Sequence, residues 1–204
     1  MDRPLSTTVA APGLPGPWGV DSSWIEIHDP ERQRNLPLRL YLPDAPQPRG
    51  LLVFSHGLGG TRDGGQAWLS HWASHGIAAI AVQHPGSDAS LLGEGRSPQA
   101  LRQAFRAAMS PEQLSLRLDD LYFMLAAIGA DPTLPTRLAT APAIGLCGHS
   151  FGAVTVQLLA GEQRPGRPAH PLDTRVRAAL ALSPSARQPD QAPGLAQRFG
   201  TIEL

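Results

Sequence analysis

Five consecutive residues, Gly148-His149-Ser150-Phe151-Gly152, carry the strongest chemical signal in the sequence. They fit G-x-S-x-G, with the apolar run AIGLC before them and the small apolar stretch AVTVQLLAGE after them. A strand that enters a helix through so tight a turn has no room for a Cβ at either flank, hence the two glycines. The serine is then raised above the sheet in a strained conformation, at the N-terminus of a helix whose dipole favours a developing anion. That is the setting of a nucleophile. Its hydroxyl needs a base to take the proton and donors to receive the negative charge. The plain alternative for these residues is an ordinary helix cap.

His56-Gly57-Leu58-Gly59-Gly60, directly after LLVFS, offers the donors. In a parallel sheet this turn and the serine turn both emerge at the C-terminal edge, where ligands bind. The expected oxyanion hole is the pair of backbone amides of Leu58 and Phe151, each of a kind worth about 2.7–4 kcal/mol in a transition state. The alternative is a glycine-rich turn with a structural role only.

The elements that must hold these turns can be read from the pattern. SWIEIHD (23–29) and LPLRLYLP (36–43) alternate apolar and polar residues, as half-buried antiparallel strands do. RGLLVFSHG and GIAAIAVQHPG are continuous apolar runs, the pattern of parallel strands covered on both faces. Between them GGQAWLSHWASHG has helical spacing and Gly76 as a C-terminal stop. SPEQLSLRLDDLYFMLAAIG opens with Ser110 as cap, Pro111 and Glu112, and runs amphipathically to Gly129. RVRAALALSP is one more buried strand, and segment 91–110 is a candidate lid or pocket wall. Strands alternating with helices imply an α/β fold with a mostly parallel sheet and helices on both faces.

Composition narrows the function. The chain has 204 residues, and its 17 basic residues cancel its 17 acidic ones. No basic field exists to draw nucleic acid or an anionic membrane. Every basic residue is arginine, which removes a P-loop or Schiff-base lysine. Cys147 is the single cysteine, so there is no intrachain disulfide and no multi-cysteine zinc site. No run approaches the roughly 20 apolar residues that span a bilayer. Residues 1–19, rich in Pro and Gly and without a signal-peptide core, read as a flexible leader, and 20–204 as one incomplete domain; a cytoplasmic location is expected.

With HWASHG (71–76) and QHPGSDAS (83–90), the two motifs resemble bacterial α/β-hydrolases of the dienelactone-hydrolase-like group, related to the platelet-activating-factor acetylhydrolases. In the latter F-S-H-G-L-G and G-H-S-F-G occur in the same order. The resemblance covers roughly 36–184 and implies a serine carboxyl-ester hydrolase without metal or organic cofactor, acting on a small ester. Dienelactone hydrolases proper carry a cysteine where this chain has Ser150, so dienelactone itself is not the substrate the resemblance leads one to expect.

In that fold the acid and then the histidine follow the serine in the chain. The acetylhydrolases end the next strand with the acid; Ser183 stands there here, with Asp190 a weak substitute in a Pro-rich loop. Beyond Ser150 there is one histidine, His170, with Asp173 nearby, but the elbow helix returns the chain to the opposite edge of the sheet, so both read as surface loop. Upstream, His56, His84 and His149 are the pocket candidates: His56 begins the oxyanion turn, His149 points away from substrate, and His84 follows its strand on the correct edge. His71 and His75 lie four apart on a helix without a third ligand, so no metal site is expected. Asp119 and Asp120 face different directions, and Arg117 with Asp120 reads as a pair on the helix surface. The expectation is therefore a fold lacking its last strands, with base and acid beyond Leu204, and a last strand left as an apolar sheet edge. The rival readings are a non-catalytic scaffold for an acyl ligand or partner, and an acyltransferase.

Overall fold

The computed structural model describes residues 13–93, 95–164 and 171–184. Among these residues six strands form one sheet: β1 (Val20–Asp29), β2 (Arg34–Pro43), β3 (Gly50–Ser55), β4 (Ile77–Val82), β5 (Ile144–His149) and β6 (Val176–Leu182). Their order across the sheet is β1-β2-β4-β3-β5-β6. The two strands with alternating pattern are the antiparallel ones: β1 pairs β2 with Ile25 opposite Leu38, and β2 pairs β4 with Leu40 opposite Ile80. The continuous apolar runs pair in parallel, β3 with β4 and with β5, and β5 with β6.

Four α-helices, α1 (Gln66–Ser74), α2 (Pro98–Ala108), α3 (Pro111–Ala127) and α4 (Phe151–Leu159), and two short 3-10 turns, Ala89–Leu92 and Thr136–Thr140, complete the described architecture. The Ser110 hydroxyl caps α3, accepting the Gln113 N–H at 3.2 Å. Helices cover both faces of the sheet. On one, Leu114, Leu118, Leu121, Met124 and Leu125 of α3 and Val154, Val156 and Leu158 of α4 join Leu38, Val53, Ile80 and Leu146 in the larger core. On the other, Leu69 and Ala73 of α1 pack with Tyr41, Phe54, Ala79 and Cys147. α3 and α4 thus bury their stripes on one face while α1 takes the other.

This arrangement places the chemistry. After β3 the chain leaves through α1 on one face; after β5 it leaves through α4 on the opposite face. Two adjacent parallel strands whose connections part in this way open a crevice at their C-terminal ends. His56–Gly60 follows β3 and Ser150 follows β5, so the two motifs meet there.

Two features differ from, or refine, the sequence reading. Residues 14–18, expected to be part of a flexible leader, are tied to the end of α1: the Gly16 N–H donates to Ser74 Oγ at 2.8 Å and the Trp18 N–H to the Ser74 carbonyl at 3.1 Å. β6 is the edge among the described residues, and Arg177, Ala178, Ala179 and Leu180 are exposed, Leu180 by 44%. His170, Asp190 and the far ends of the chain lie outside the described residues. No described helix is long and apolar enough to cross a membrane.

Leu118 is fully buried at the centre of the larger core. Leu118→Ala is expected to cost about 2–5 kcal/mol of stability. Urea unfolding followed by circular dichroism measures it, and a loss under 1 kcal/mol, roughly a surface-level effect, would contradict this packing.

Candidate active site

Ser150 is exposed and caps α4 with φ 55° and ψ −113°, a backbone conformation that side chains other than glycine rarely adopt. Its flanks explain how it is held. A Cβ on Gly148 would lie 2.1 Å from the Gly152 carbonyl oxygen, and one on Gly152 would lie 2.0 Å from that of Ser55. The helix start is therefore pressed against the end of β3 at a distance only glycine permits. The Ser150 N–H donates to the Leu182 carbonyl at 2.9 Å, which anchors the turn to β6.

The turn after β3 lies against the serine: a Cβ on Gly57 would be 3.3 Å from Ser150 Cβ. The carbonyl of Gly57 accepts from the Gly60 N–H at 3.0 Å and from His56 Nδ1 at 2.6 Å. That carbonyl and the Leu58 N–H belong to one peptide plane and point opposite ways. Fixing one fixes the other. Neither the Leu58 nor the Phe151 N–H donates to an acceptor among the described residues. The Gly59 N–H donates to the Ser87 carbonyl at 2.9 Å, so the segment after β4 flanks the turn. From outside, Phe105 of α2 comes within 3.5 Å of the Cβ position of Gly59, which sets that helix against the turn as a wall.

The candidate histidines divide. His149 is exposed, with its ring 6.4 Å from that of Trp68. His56 and His84 do not line a pocket: they are 2% and 0% exposed. His56 Nδ1–H donates to Gly57, and its Nε2 accepts the His84 N–H at 3.1 Å, so the ring is neutral with its tautomer set. Burial and then the charge of Arg117 push its pKa down to about 4. The same two causes hold His84 well below the usual histidine value.

His84 belongs to a sealed chain of hydrogen bonds. Arg117 donates to Ser55 Oγ at 2.9 Å, Ser55 Oγ lies 3.0 Å from His84 Nε2, and His84 Nδ1 lies 3.0 Å from Asp120 Oδ2. A guanidinium only donates and a carboxylate only accepts, so every proton between them has one place: Ser55 donates to His84 and His84 to Asp120. Asp120 also accepts from Arg34 at 2.7 and 3.0 Å and from Arg32 at 2.9 Å. Burial works to raise the Asp120 pKa, but the bonds from His84 and Arg34 overcome it and hold the carboxyl well below the usual range.

This corrects the sequence reading of Arg117 and Asp120 as a surface pair. Both are buried, at 1% and 0% exposure, and they turn to different partners. A signal was present in the sequence: Leu114, Arg117, Leu118 and Leu121 share one stripe of α3, so the arginine sits on the apolar face. Ser55 carried no such signal. Asp173 pairs with Arg175 just before β6, at the edge of the sheet opposite Ser150. A cavity of about 470 Å³ bounded by Ile128, Leu138 and Arg175 lies at that same far edge. No described side chain hydrogen-bonds the Ser150 hydroxyl, and no described cluster of His, Cys, Asp or Glu suits a metal; the His71 and His75 rings lie 4.7 Å apart, and His75 Nε2 lies 3.1 Å from the Leu14 carbonyl oxygen.

No protein-family model and no curated protein matches the chain. Solved structures do. A cold-adapted esterase from an Arctic intertidal metagenomic library superposes with TM-score 0.54 at 17% identity, covering 78% of this chain and 59% of that one. Dienelactone hydrolase from Anabaena variabilis gives 0.52 at 17%, covering 78% and 62%. Ferulic acid esterase from Streptomyces cinnamoneus gives 0.50 at 22%, covering 72% and 56%. The chain thus has the α/β-hydrolase fold, as the resemblance implied, and spans 56–62% of the length of these structures.

Two outcomes are expected. Gly152→Ala forces a Cβ onto a backbone carbonyl and should destabilise by on the order of 3 kcal/mol, read from the urea midpoint. His56 and His84 stay neutral in the fold, whereas the unfolded chain binds their protons below about pH 6.5. Stability should therefore fall as pH drops from about 6.5 toward 4, by up to about 1.4 kcal/mol per pH unit for each histidine. A urea series across that window that shows no slope would refute the neutral, buried placement.

Proposed function

We propose that Ser150 is the nucleophile of a serine ester hydrolase and that the Leu58 and Phe151 amides form its oxyanion hole. The observation that carries this is the strained, exposed Ser150, held above the β5–α4 turn by close packing at Gly148 and Gly152. Such strain costs on the order of 1–3 kcal/mol and persists where surrounding structure over-determines it. The two unoccupied amides beside it, and the esterases among its structural neighbours, support the same reading.

A base takes the Ser150 proton as Oγ forms a bond to the ester carbonyl carbon. The carbonyl π pair moves onto oxygen and is received by the two amides. Collapse of that intermediate breaks the C–O bond, and the alcohol leaves with a proton returned by the base. Water then attacks the acyl-enzyme by the same route and frees the acid. The helix dipole of α4 adds to the stabilisation of the anion. We place the base and its orienting acid outside the described residues, on elements continuing the sheet past β6.

A fluorophosphonate probe tests the nucleophile. Peptide mapping is expected to find one adduct, on Ser150, that is lost in Ser150→Ala together with p-nitrophenyl acetate hydrolysis, by a factor on the order of 10⁴ or more. Esterase activity retained in Ser150→Ala would overturn the assignment. A folded protein that takes no adduct but binds the ester unchanged would favour a non-catalytic scaffold.

A further inference from the structure

One side chain touches both halves of the proposed hole. Arg117 of α3 donates through one terminal nitrogen to Ser55 Oγ at 2.9 Å and to the His56 carbonyl, and through the other to Ser87 Oγ at 2.8 Å. Its Nε donates to Thr155 Oγ1 at 3.2 Å, and its guanidinium carbon lies 4.9 Å from the centroid of the Phe151 ring. Ser55 and His56 lead directly into the turn that carries Leu58. Ser87 holds that turn from the other side by accepting the Gly59 N–H. Thr155 and Phe151 form the first turn of α4, where Thr155 Oγ1 donates to the Phe151 carbonyl at 3.0 Å. Each contact therefore falls on the support of one donor or the other.

We propose that Arg117 is the positioning residue of the oxyanion hole, fixing the spacing and direction of the Leu58 and Phe151 amides from beneath. This rests on the reading of Ser150 as the nucleophile. The two donors ride on the ends of different strands, β3 and β5, and no hydrogen bond among the described residues joins Leu58 to Phe151 directly. The planar fork of an arginine spans four acceptors at once, whereas a lysine ammonium presents a single point. The bond order Ser55 to His84 to Asp120 leaves the Ser55 lone pairs facing the guanidinium, so that arm of the fork has one arrangement.

The charge matters as well as the shape. Arg117 forms no ion pair among the described residues, because Asp120 is engaged by Arg32, Arg34 and His84. All of its acceptors are neutral oxygens. A buried cation with no carboxylate in direct contact, lying under the turn in a low-dielectric site, raises the potential where the ester oxygen gains its charge. Arg117 does not touch substrate; it acts through the peptide groups it holds.

The test compares wild type, Arg117→Lys, Arg117→Met and Thr155→Val in the full chain, each checked for fold by circular dichroism and melting temperature. The readouts, taken well below the melting temperature, are the rate of Ser150 phosphonylation by a fluorophosphonate and the kcat and KM for p-nitrophenyl acetate. Arg117→Lys and Arg117→Met are expected to lower both rates by about 100-fold with little change in KM, as misplaced donors do. Thr155→Val, which removes one acceptor and keeps the cation, is expected to lower them by roughly 5-fold. Folded Arg117 variants with wild-type rates, or a loss confined to KM or melting temperature, would overturn the inference. If neither Arg117 variant folds, Thr155→Val decides, and a wild-type rate in it counts against the inference. A wild type that takes no adduct on Ser150 overturns the nucleophile and the inference together; a labelled wild type with unaffected variants overturns the inference alone.

Discussion

The structure depends on how closely the start of α4 approaches the end of β3. The approach is possible because Gly152 places no Cβ against the carbonyl of Ser55 and Gly148 places none against the carbonyl of Gly152. Once it is made, the positive φ of Ser150 follows, since the chain must reverse from strand to helix within one residue. The same approach brings the His56–Gly60 turn against the serine. The cost of the strain is offset by packing: Ala153, Val154, Val156, Leu158 and Leu159 of α4 are all buried. Gly152 and Ala153 in the first turn let the helix lie close, and the larger residues behind them supply apolar area. A bulkier helix would sit farther from the sheet and release the turn.

Beneath the two turns the fold keeps a polar joint at a place where buried side chains are usually apolar. Asp29, Asp120, Arg32, Arg34, Arg117, Ser55 and the two histidines are linked across β1, β2, the end of β3, the segment after β4, and α3. Removing such charges from water costs several kcal/mol each, and attraction repays it only when the remaining hydrogen-bonding capacity is used. Here nearly all of it is; Arg32 Nη2 is an exception within the group. What the joint provides is direction. An apolar contact between α3 and the sheet edge would tolerate a small slide, whereas hydrogen bonds aimed at Ser55, Ser87 and Thr155 do not.

Legibility in the sequence followed the range of each interaction. The strand-to-helix turn at Ser150, the glycine-rich turn after β3, the capped start of α3 and the alternation of β1 and β2 are local patterns, and each was readable from a few adjacent residues. The joint is not local: Arg117 lies 62 residues from Ser55 and 38 from Thr155. Charged residues three apart on a helix suggest a solvent-facing pair, and only the phase of Leu114, Leu118 and Leu121 contradicts it. His84 was legible as a residue at the right edge of the sheet, but the sequence could not reveal that it turns inward, because that depends on Asp120 arriving from another element. The same limit applied to the segment before Val20, whose anchorage to Ser74 depends on the end of α1.

The protonation states of the joint follow from a competition among its bases. His56, His84 and Arg117 lie close together under the turn, and burial penalises a positive charge on any of them. His56 and His84 each lose further stability as cations from the charge of Arg117. Arg117 is itself drawn down to about 9 by burial, with Asp120 working in the opposite sense. Even so lowered it holds its proton far more tightly than either imidazole. The single charge therefore resides on the guanidinium, and both imidazoles stay neutral with one nitrogen free to accept. That neutrality is what the geometry needs: His56 Nε2 must accept the His84 N–H, and His84 Nε2 must accept from Ser55. A second proton on either ring would replace an acceptor with a donor and set two N–H or O–H groups against each other. The hydrogen bonds that hold the His56–Gly60 turn are thus conditional on one buried arginine keeping the charge that the histidines give up.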